Sequence, residues 1–405
     1  MRFDHRAVPI ALSAVLIDSI GFGIVLPVLP KLIVHLSDVT MAEATRIAGY
    51  MLVAFAGAQF FAGPVLGNLG DHFGRRLVLL CSMLAFAIDY LFMAAAPTLA
   101  WLFVGRLIAG AAGAIYGAAS AVLADVTPPE KRGATFGLMG AMFGTGFILG
   151  PAIGGLLAGL GPRAPFIAAA CLAGLNATWI ALALPETLAP EKRRPFRLSQ
   201  STIFGAFKPL FHAGVAAPLL LAAFLWQLGH TVYPATWAFW AKLALNWNEA
   251  AVGWSLAGAG TVMVLAQAFV TGPAIRRFGE ERAVLIGAAS ATLVFFGYAF
   301  VTHSWMVVPL LIVGGLQGLV WPSMTALLSR MADASHQGAL QGGMASLSSV
   351  AQILGPLMLT QALAFGAEHG HPGGAFLMAS CLACGALLVV AFGVVPRVHR
   401  GVAVT

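Results

Sequence analysis

Asp18, Asp89 and Arg106 are ionisable residues set inside long apolar stretches of a 405-residue chain. An ionised side chain at a bilayer centre costs about 2.5–3.5 kcal/mol on insertion scales, so such residues face a water-filled cavity or a partner. A carboxyl that protonates from one side and releases to the other is what proton coupling needs. Asp18 lies about halfway through its apolar run and is expected to carry protons. The alternative is a protonated Asp hydrogen-bonded to a neighbouring helix. Arg106 stays charged. It can help trigger proton release from a nearby acid, or it can hold helix ends in a structural pair. Asp89 fits a relay acid and a group satisfying a kinked backbone equally well.

Gln59, Gln227, His230 and Gln317 are polar side chains inside other apolar runs. With Trp321 they are the candidate contacts for an amphipathic small-molecule ligand. The equal alternative is bridging between helices, worth about 0.6 kcal/mol per bond on average. Trp226, Trp237, Trp240 and Phe224 can wall a planar ligand, although aromatics at helix ends more often form the interfacial belt.

The elements that must position these residues follow from composition. Of the chain, 60% is apolar and only 9% charged, against about 45–50% and about 25% in soluble domains. Charge this sparse cannot coat a soluble surface, so an all-α integral membrane protein is expected. Twelve helices of about 20 residues account for the apolar runs. They fall near 7–30, 47–69, 77–96, 99–124, 134–160, 164–184, 215–241, 250–275, 283–301, 305–329, 338–365 and 373–396. The runs lack the period-two alternation of a membrane β-barrel. The net charge of +7 sits in short clusters between spans, which argues against nucleic-acid binding.

Alternate loops are basic. Arg2, Arg6, Arg75, Arg76, Lys131, Arg132, Lys192, Arg193, Arg194, Arg197, Lys208, Arg276, Arg277, Arg282, Arg330, Arg397 and Arg400 fall on one side, against Lys31, Arg46, Arg163 and Lys242 on the other. The basic side is expected to be cytoplasmic, with both termini there. Met1–Arg6 leads into an apolar run without a small-residue cleavage site, so no cleavable signal peptide is expected. The Pro- and charge-rich stretch 185–210 reads as a cytoplasmic linker between six-helix bundles at 1–184 and 211–405.

Cys81, Cys171, Cys381 and Cys384 lie in apolar runs and read as small buried hydrophobes rather than a disulfide framework. No Walker loop, nucleophile elbow or zinc-ligand spacing appears, so neither an enzyme nor a cofactor or metal site is expected. The architecture works in principle as a monomer.

The halves superpose at an offset of 205 residues. Gly67, Phe73 and Gly74 match Gly272, Phe278 and Gly279. Gly133, Ala134 and Gly137 match Gly338, Ala339 and Gly342, and Gly150-Pro151 matches Gly355-Pro356. Repeated halves mark transporters, with the substrate site near mid-membrane between them. Asp18, Asp89 and Arg106 correspond at that offset to Ala223, Val294 and Leu311. The scaffold is doubled, but the ionisable chemistry lies mostly in the first half.

The loop from Gly67 through Asp71 and Gly74 to Arg75-Arg76 resembles the loop signature of the major facilitator superfamily. Gly67 and Gly74 suit close approach and a tight turn, while Asp71 and Arg75 can pair or cap helix ends. Gly144, Gly146, Gly150, Pro151, Gly154 and Gly155 resemble the fifth-span signature of proton-driven drug antiporters in that superfamily, as does Arg106 followed by Gly110 and Gly113. The run from Asp18 to Pro27 and Pro30 is similar to the first span of bacterial tetracycline efflux proteins. So are Asp89-Tyr90, Asp125 with Thr127, Gly253–Gly258, and Gln337–Gly342. The resemblance implies a fold of two six-helix bundles and proton-coupled efflux of tetracycline-like or other amphipathic drugs by alternating access. Export of a sugar or metabolite is the alternative. Asp71, Arg75, Asp125 and Arg132, with Gly67, Gly74, Gly150, Pro151 and Gly154, are expected to form a conformational switch, the charged members as a network that locks one state. Members of the tetracycline subgroup carry a His in the eighth span and an Asp in the ninth. The corresponding positions here are Met263 and Ala291, beside Ser290, and neither titrates. His230 can supply a titratable group in the second half.

Overall fold

The computed structural model describes residues 6–196, 216–331 and 337–396. The basic residues Arg2, Arg197, Lys208, Arg397 and Arg400 and most of the 185–210 linker lie outside them. So do the side chains of Gln337–Gln341 in the eleventh-span motif. The described residues are almost entirely helical. Span one is Ala7–Ser37, span two Met41–Phe73, span three Arg75–Ala95, span five Arg132–Leu157, span six Ala164–Ala183 and span eleven Gln337–Glu368. Local chemistry sets their ends. Span one stops where Asp38 turns left-handed at φ 51° and its N–H closes back on the Val34 carbonyl at 2.9 Å. Span two opens on a reciprocal cap: Thr40 N–H donates to Glu43 Oε2 at 2.9 Å and Glu43 N–H to Thr40 Oγ1 at 3.2 Å. Gly74, at φ 107°, makes the turn into span three.

Ten described helical stretches are individually long and apolar enough to cross a membrane. One of them, Glu249–Ala299, contains both span eight and span nine, joined across a kink at Gly279 with φ 79°. Span seven is not among the ten because it is two shorter helices, Ala217–His230 and Val232–Leu245, meeting at Thr231. With these two points the twelve expected spans are accounted for.

Several spans are less regular than their apolar runs suggest. Span four, expected to be continuous over 99–124, is Leu99–Ala112 followed by Ile115–Val126. Gly113 sits at ψ 62°, outside the helical region, and the side-chain amide of Gln59 donates to its carbonyl at 2.9 Å. Interrupted backbone inside a membrane persists only where another group takes up the freed polar atoms. Span eight widens to a π-helical turn at Ala266–Thr271. Span ten, between Val307 and Met331, tightens to a 3₁₀ turn at Gly315–Leu319. Span twelve, Gly374–Leu388, ends in a π-helical Val389–Val394.

Two compact units are formed. The first comprises residues 1–39, 54–203 and 247–260, the second residues 40–53, 204–246 and 261–405. The units therefore do not follow the chain halves throughout. The first turns of span two belong with the second unit, and the first turns of span eight with the first. These two exchanged segments are themselves related by the 205-residue offset.

The repeat extends to packing detail. A Cβ built on Gly150 would come within 2.8 Å of Gly23 Cα, and one built on Gly355 within 3.2 Å of the Leu228 carbonyl oxygen. Residues 23 and 228 differ by the same offset.

Trp237, Trp240, Tyr298, Phe295 and Phe376 form the core of the second unit, with Trp240 and Phe376 centroids 4.9 Å apart and Trp237 and Trp240 5.1 Å apart. Trp226 is also buried. The expectation of an interfacial belt or a ligand wall is corrected for Trp237 and Trp240: they pack against one another, as large rings do where van der Waals contact drives association. The cysteines are corrected the other way. All four are free; Cys81, Cys171 and Cys381 point outward and Cys384 is half-buried. A thiol on a lipid-facing helix surface needs no burial inside protein.

Candidate functional site

In the first unit, spans three and four bring Asp89 and Arg106 into a direct ion pair. Asp89 is 0% exposed and Arg106 8%. Arg106 Nη2 also lies 3.3 Å from Met93 Sδ, and the guanidinium stands 5.5 Å from the Phe55 ring centroid, a cation–π distance. Gly105 makes room for the acid: a Cβ there would fall 2.6 Å from Asp89 Oδ1. The acid that answers Arg106 is thus Asp89, not Asp18.

Asp18 makes no hydrogen bond or ion pair among the described residues. Tyr90, next to Asp89, lies within electrostatic range of Asp18. Its hydroxyl occupies the space where Gly21 lacks a side chain. Asp18 is thus an unpaired carboxyl in mid-span, with Tyr90 as its electrostatic neighbour.

The glycines of span five form two packing faces. Cβ atoms on Gly146, Gly150 and Gly154 would meet the carbonyl oxygens of Leu16, Ile20 and Ile24 at 2.7, 2.5 and 2.6 Å. One built on Gly155 would meet the Glu249 carbonyl at 2.7 Å. Pro151 lies between the faces, its Cδ 2.6 Å from where a Gly23 Cβ would stand. This motif sets helix separation, as small residues do in membranes.

At the loop after span two, Arg75 Nη2 pairs with Asp71 at 2.5 Å and Arg75 Nε approaches Asp125 at 3.7 Å. Glu186 Oε1 accepts from the N–H groups of Arg75 at 2.9 Å and Leu188 at 3.0 Å. Thr187 Oγ1 donates to Asp125 at 3.3 Å, and Arg194 N–H to the Asp71 carbonyl at 3.0 Å. The start of the 185–210 segment is therefore strapped onto this loop. Arg132 does not join the cluster. It donates to the Ala124 and Thr127 carbonyls at 3.1 and 3.3 Å, capping the end of span four. Gly74 needs its positive φ, whereas Gly67 has open space around it, so close packing is not its reason.

The second unit holds a smaller polar group. Gln317, in the 3₁₀ turn of span ten, donates to Tyr233 Oη at 3.1 Å. His230 lies between the rings of Trp226 and Tyr233. Gln227 is half-buried, and Trp321 is 40% exposed. Met263 is exposed on span eight and Ala291 is buried, while Ser290 Oγ donates to the Val313 carbonyl at 2.8 Å. Two further ion pairs are Arg330–Glu280 at 2.8 Å and Arg46–Glu368 at 2.6 Å.

The sequence matches the Major Facilitator Superfamily over residues 11–356, and again over 219–403. The chain belongs to that superfamily. Its relatives include the class C tetracycline resistance protein of Escherichia coli, 41% identical over 88% of this chain and 89% of that one. The class G tetracycline resistance protein of Vibrio anguillarum is 39% identical over 87% and 88%. Among solved structures, the human organic anion transporter MFSD10 superposes with a TM-score of 0.70 at 21% identity, covering 95% of this chain and 99% of that one. This major facilitator is a multi-pass membrane protein, and its family consists of transporters.

The sequence pointed to Asp18, Asp89, Arg106 and the Asp71–Arg75–Asp125 cluster. It missed Glu186, Tyr233 and the Arg46–Glu368 and Arg330–Glu280 pairs. One clue to Arg330–Glu280 was available. The 205-residue offset carries Arg75 and Asp125 onto Glu280 and Arg330, the same pair with its charges reversed.

Proposed function

We propose that this major facilitator exports tetracycline-like amphipathic drugs across the bacterial inner membrane in exchange for protons. The observation that carries this reading is the 41% identity to a tetracycline resistance protein over nearly nine-tenths of both chains. The geometry of the first unit supports the coupling. Asp18 has no charged partner of its own, so binding a proton there breaks no existing pair, and Arg106 is already neutralised by Asp89. Proton and drug each favour the opposite state of Asp18, and such differential binding shifts a two-state equilibrium. Gln59, Gln227, His230, Gln317 and Trp321 supply polar and aromatic contacts to the drug. Asp71, Arg75 and Asp125, with the glycines and Pro151, serve the conformational switch. Both termini and the basic loops are cytoplasmic, the bundles are 1–184 and 211–405 with 185–210 between them, and a monomer suffices.

The test uses everted membrane vesicles carrying an acidic interior. Adding tetracycline should release protons in a protein-dependent manner. No release, in vesicles where the folded protein is verified, refutes tetracycline as a coupled substrate. A second reading, export of a sugar or metabolite, rests on Met263 and Ala291 at the positions where the tetracycline subgroup titrates. A substrate panel showing metabolite efflux without drug efflux would favour it.

A further inference from the structure

His230 is, by sequence, the one acidic, basic or imidazole side chain in the interior of spans seven to twelve. It stands midway between Ala217 and Leu245, where the two helices of span seven meet. Along the repeat, Asp18 corresponds to Ala223, and His230 lies seven residues further on. Seven residues are about two helical turns, which keeps it on the same helix face. An ionisable residue in such a position marks a proton or substrate path by default.

Its surroundings suit a charge that comes and goes. The Trp226 ring is tilted by 30° to the imidazole, with centroids 5.3 Å apart. The Tyr233 ring stands steeply to it at 5.3 Å and 71°. The Trp226 centroid falls within the roughly 6 Å over which an aromatic face attracts a cation. Beyond Tyr233, Gln317 donates to the phenol oxygen, leaving the hydroxyl proton for another acceptor. Gln317 Oε1 and Tyr298 Oη are buried without a hydrogen-bond partner among the described residues. The elements packed against Ala217–His230 are spans eleven and twelve, the second half of span ten, and the second half of span seven. Their charged residues, Glu368, Arg330 and Lys242, all stand at helix ends; their other titratable groups are Tyr233, Cys381 and Cys384, with Tyr298 on span nine beyond Tyr233.

We propose that His230 is a second proton-binding residue of this transporter, held between Trp226 and Tyr233 so that it can be charged in mid-span. A proton from water adds to the free ring nitrogen and returns to water, with no other bond made or broken. This assignment rests on the proton-coupled reading for its purpose, and its test does not require transport. Protonated imidazole in contact with an indole quenches the indole's emission. Tryptophan fluorescence of the purified protein in liposomes should therefore carry a component that titrates reversibly across the acid-to-neutral range. That component should vanish in both His230→Gln and Trp226→Phe and persist in Asp18→Asn. If wild type shows no such component, or His230→Gln retains it, the assignment is wrong. Trp226→Phe keeps the test decisive if His230→Gln does not fold. Tetracycline transport failing while this titration persists would overturn only the proposed cargo.

Discussion

Gly150→Ala tests the tightest packing claim. A methyl at Gly150 would lie 2.5 Å from the Ile20 carbonyl oxygen and 2.8 Å from Gly23 Cα, both backbone atoms that cannot rotate aside. Comfortable contact needs about 3.5 Å, so spans one and five would have to part by roughly 1 Å. Overpacking of this kind costs about 1–3 kcal/mol. Gly140, ten residues earlier on the same helix, is the internal control, because a Cβ there meets nothing within 4 Å. Alanine at that position should be neutral or stabilising by up to about 1 kcal/mol through helix propensity. The assay is the unfolding midpoint of each purified variant in mixed detergent micelles, alongside drug transport in vesicles. Gly150→Ala should unfold earlier and transport more slowly, with Gly140→Ala close to wild type. Equal midpoints for the two variants would refute the argument that this motif exists to bring two backbones together.

Breaking the buried pair with Arg106→Gln leaves Asp89 charged and alone, which should cost about 3–5 kcal/mol. The double variant with Asp89→Asn should recover part of that loss, and strict additivity in the same unfolding assay would show that the pair does not couple. Gln59→Leu strips the donor from the Gly113 carbonyl at the span-four break and should destabilise by about 1–3 kcal/mol; an unchanged midpoint would mean the break needs no cap. Glu186→Ala removes the acceptor of the Arg75 and Leu188 N–H groups. Trypsin should then cut faster at Lys192–Arg194, and an unaltered cleavage rate would count against the strap.

Twelve spans and a doubled scaffold were legible because apolar runs and repeated Gly–Pro motifs are local patterns. The irregularities were not. The break at Gly113 depends on Gln59 from another helix, and the split at Thr231 occurs inside an unbroken apolar run. Composition likewise cannot tell an outward-facing tryptophan from Trp237 or Trp240 stacked in a core. At the site, a lone ionisable residue in an apolar run was readable, as with Asp18. The choice of partner was not, because whether Arg106 answers Asp18 or Asp89 is decided by how spans one, three and four pack. Gly105, which admits the Asp89 carboxylate, gave no sign in a chain with 47 glycines.

The central claim is that Asp18 exchanges its proton against drug. Purified protein in liposomes under an imposed pH gradient, loaded with tetracycline and a pH indicator, measures both fluxes at once. Wild type should show proton-driven drug movement, and Asp18→Asn should be a folded protein that binds drug but neither releases protons nor follows the gradient. An Asp18→Asn variant that moves drug and protons as wild type does would contradict it.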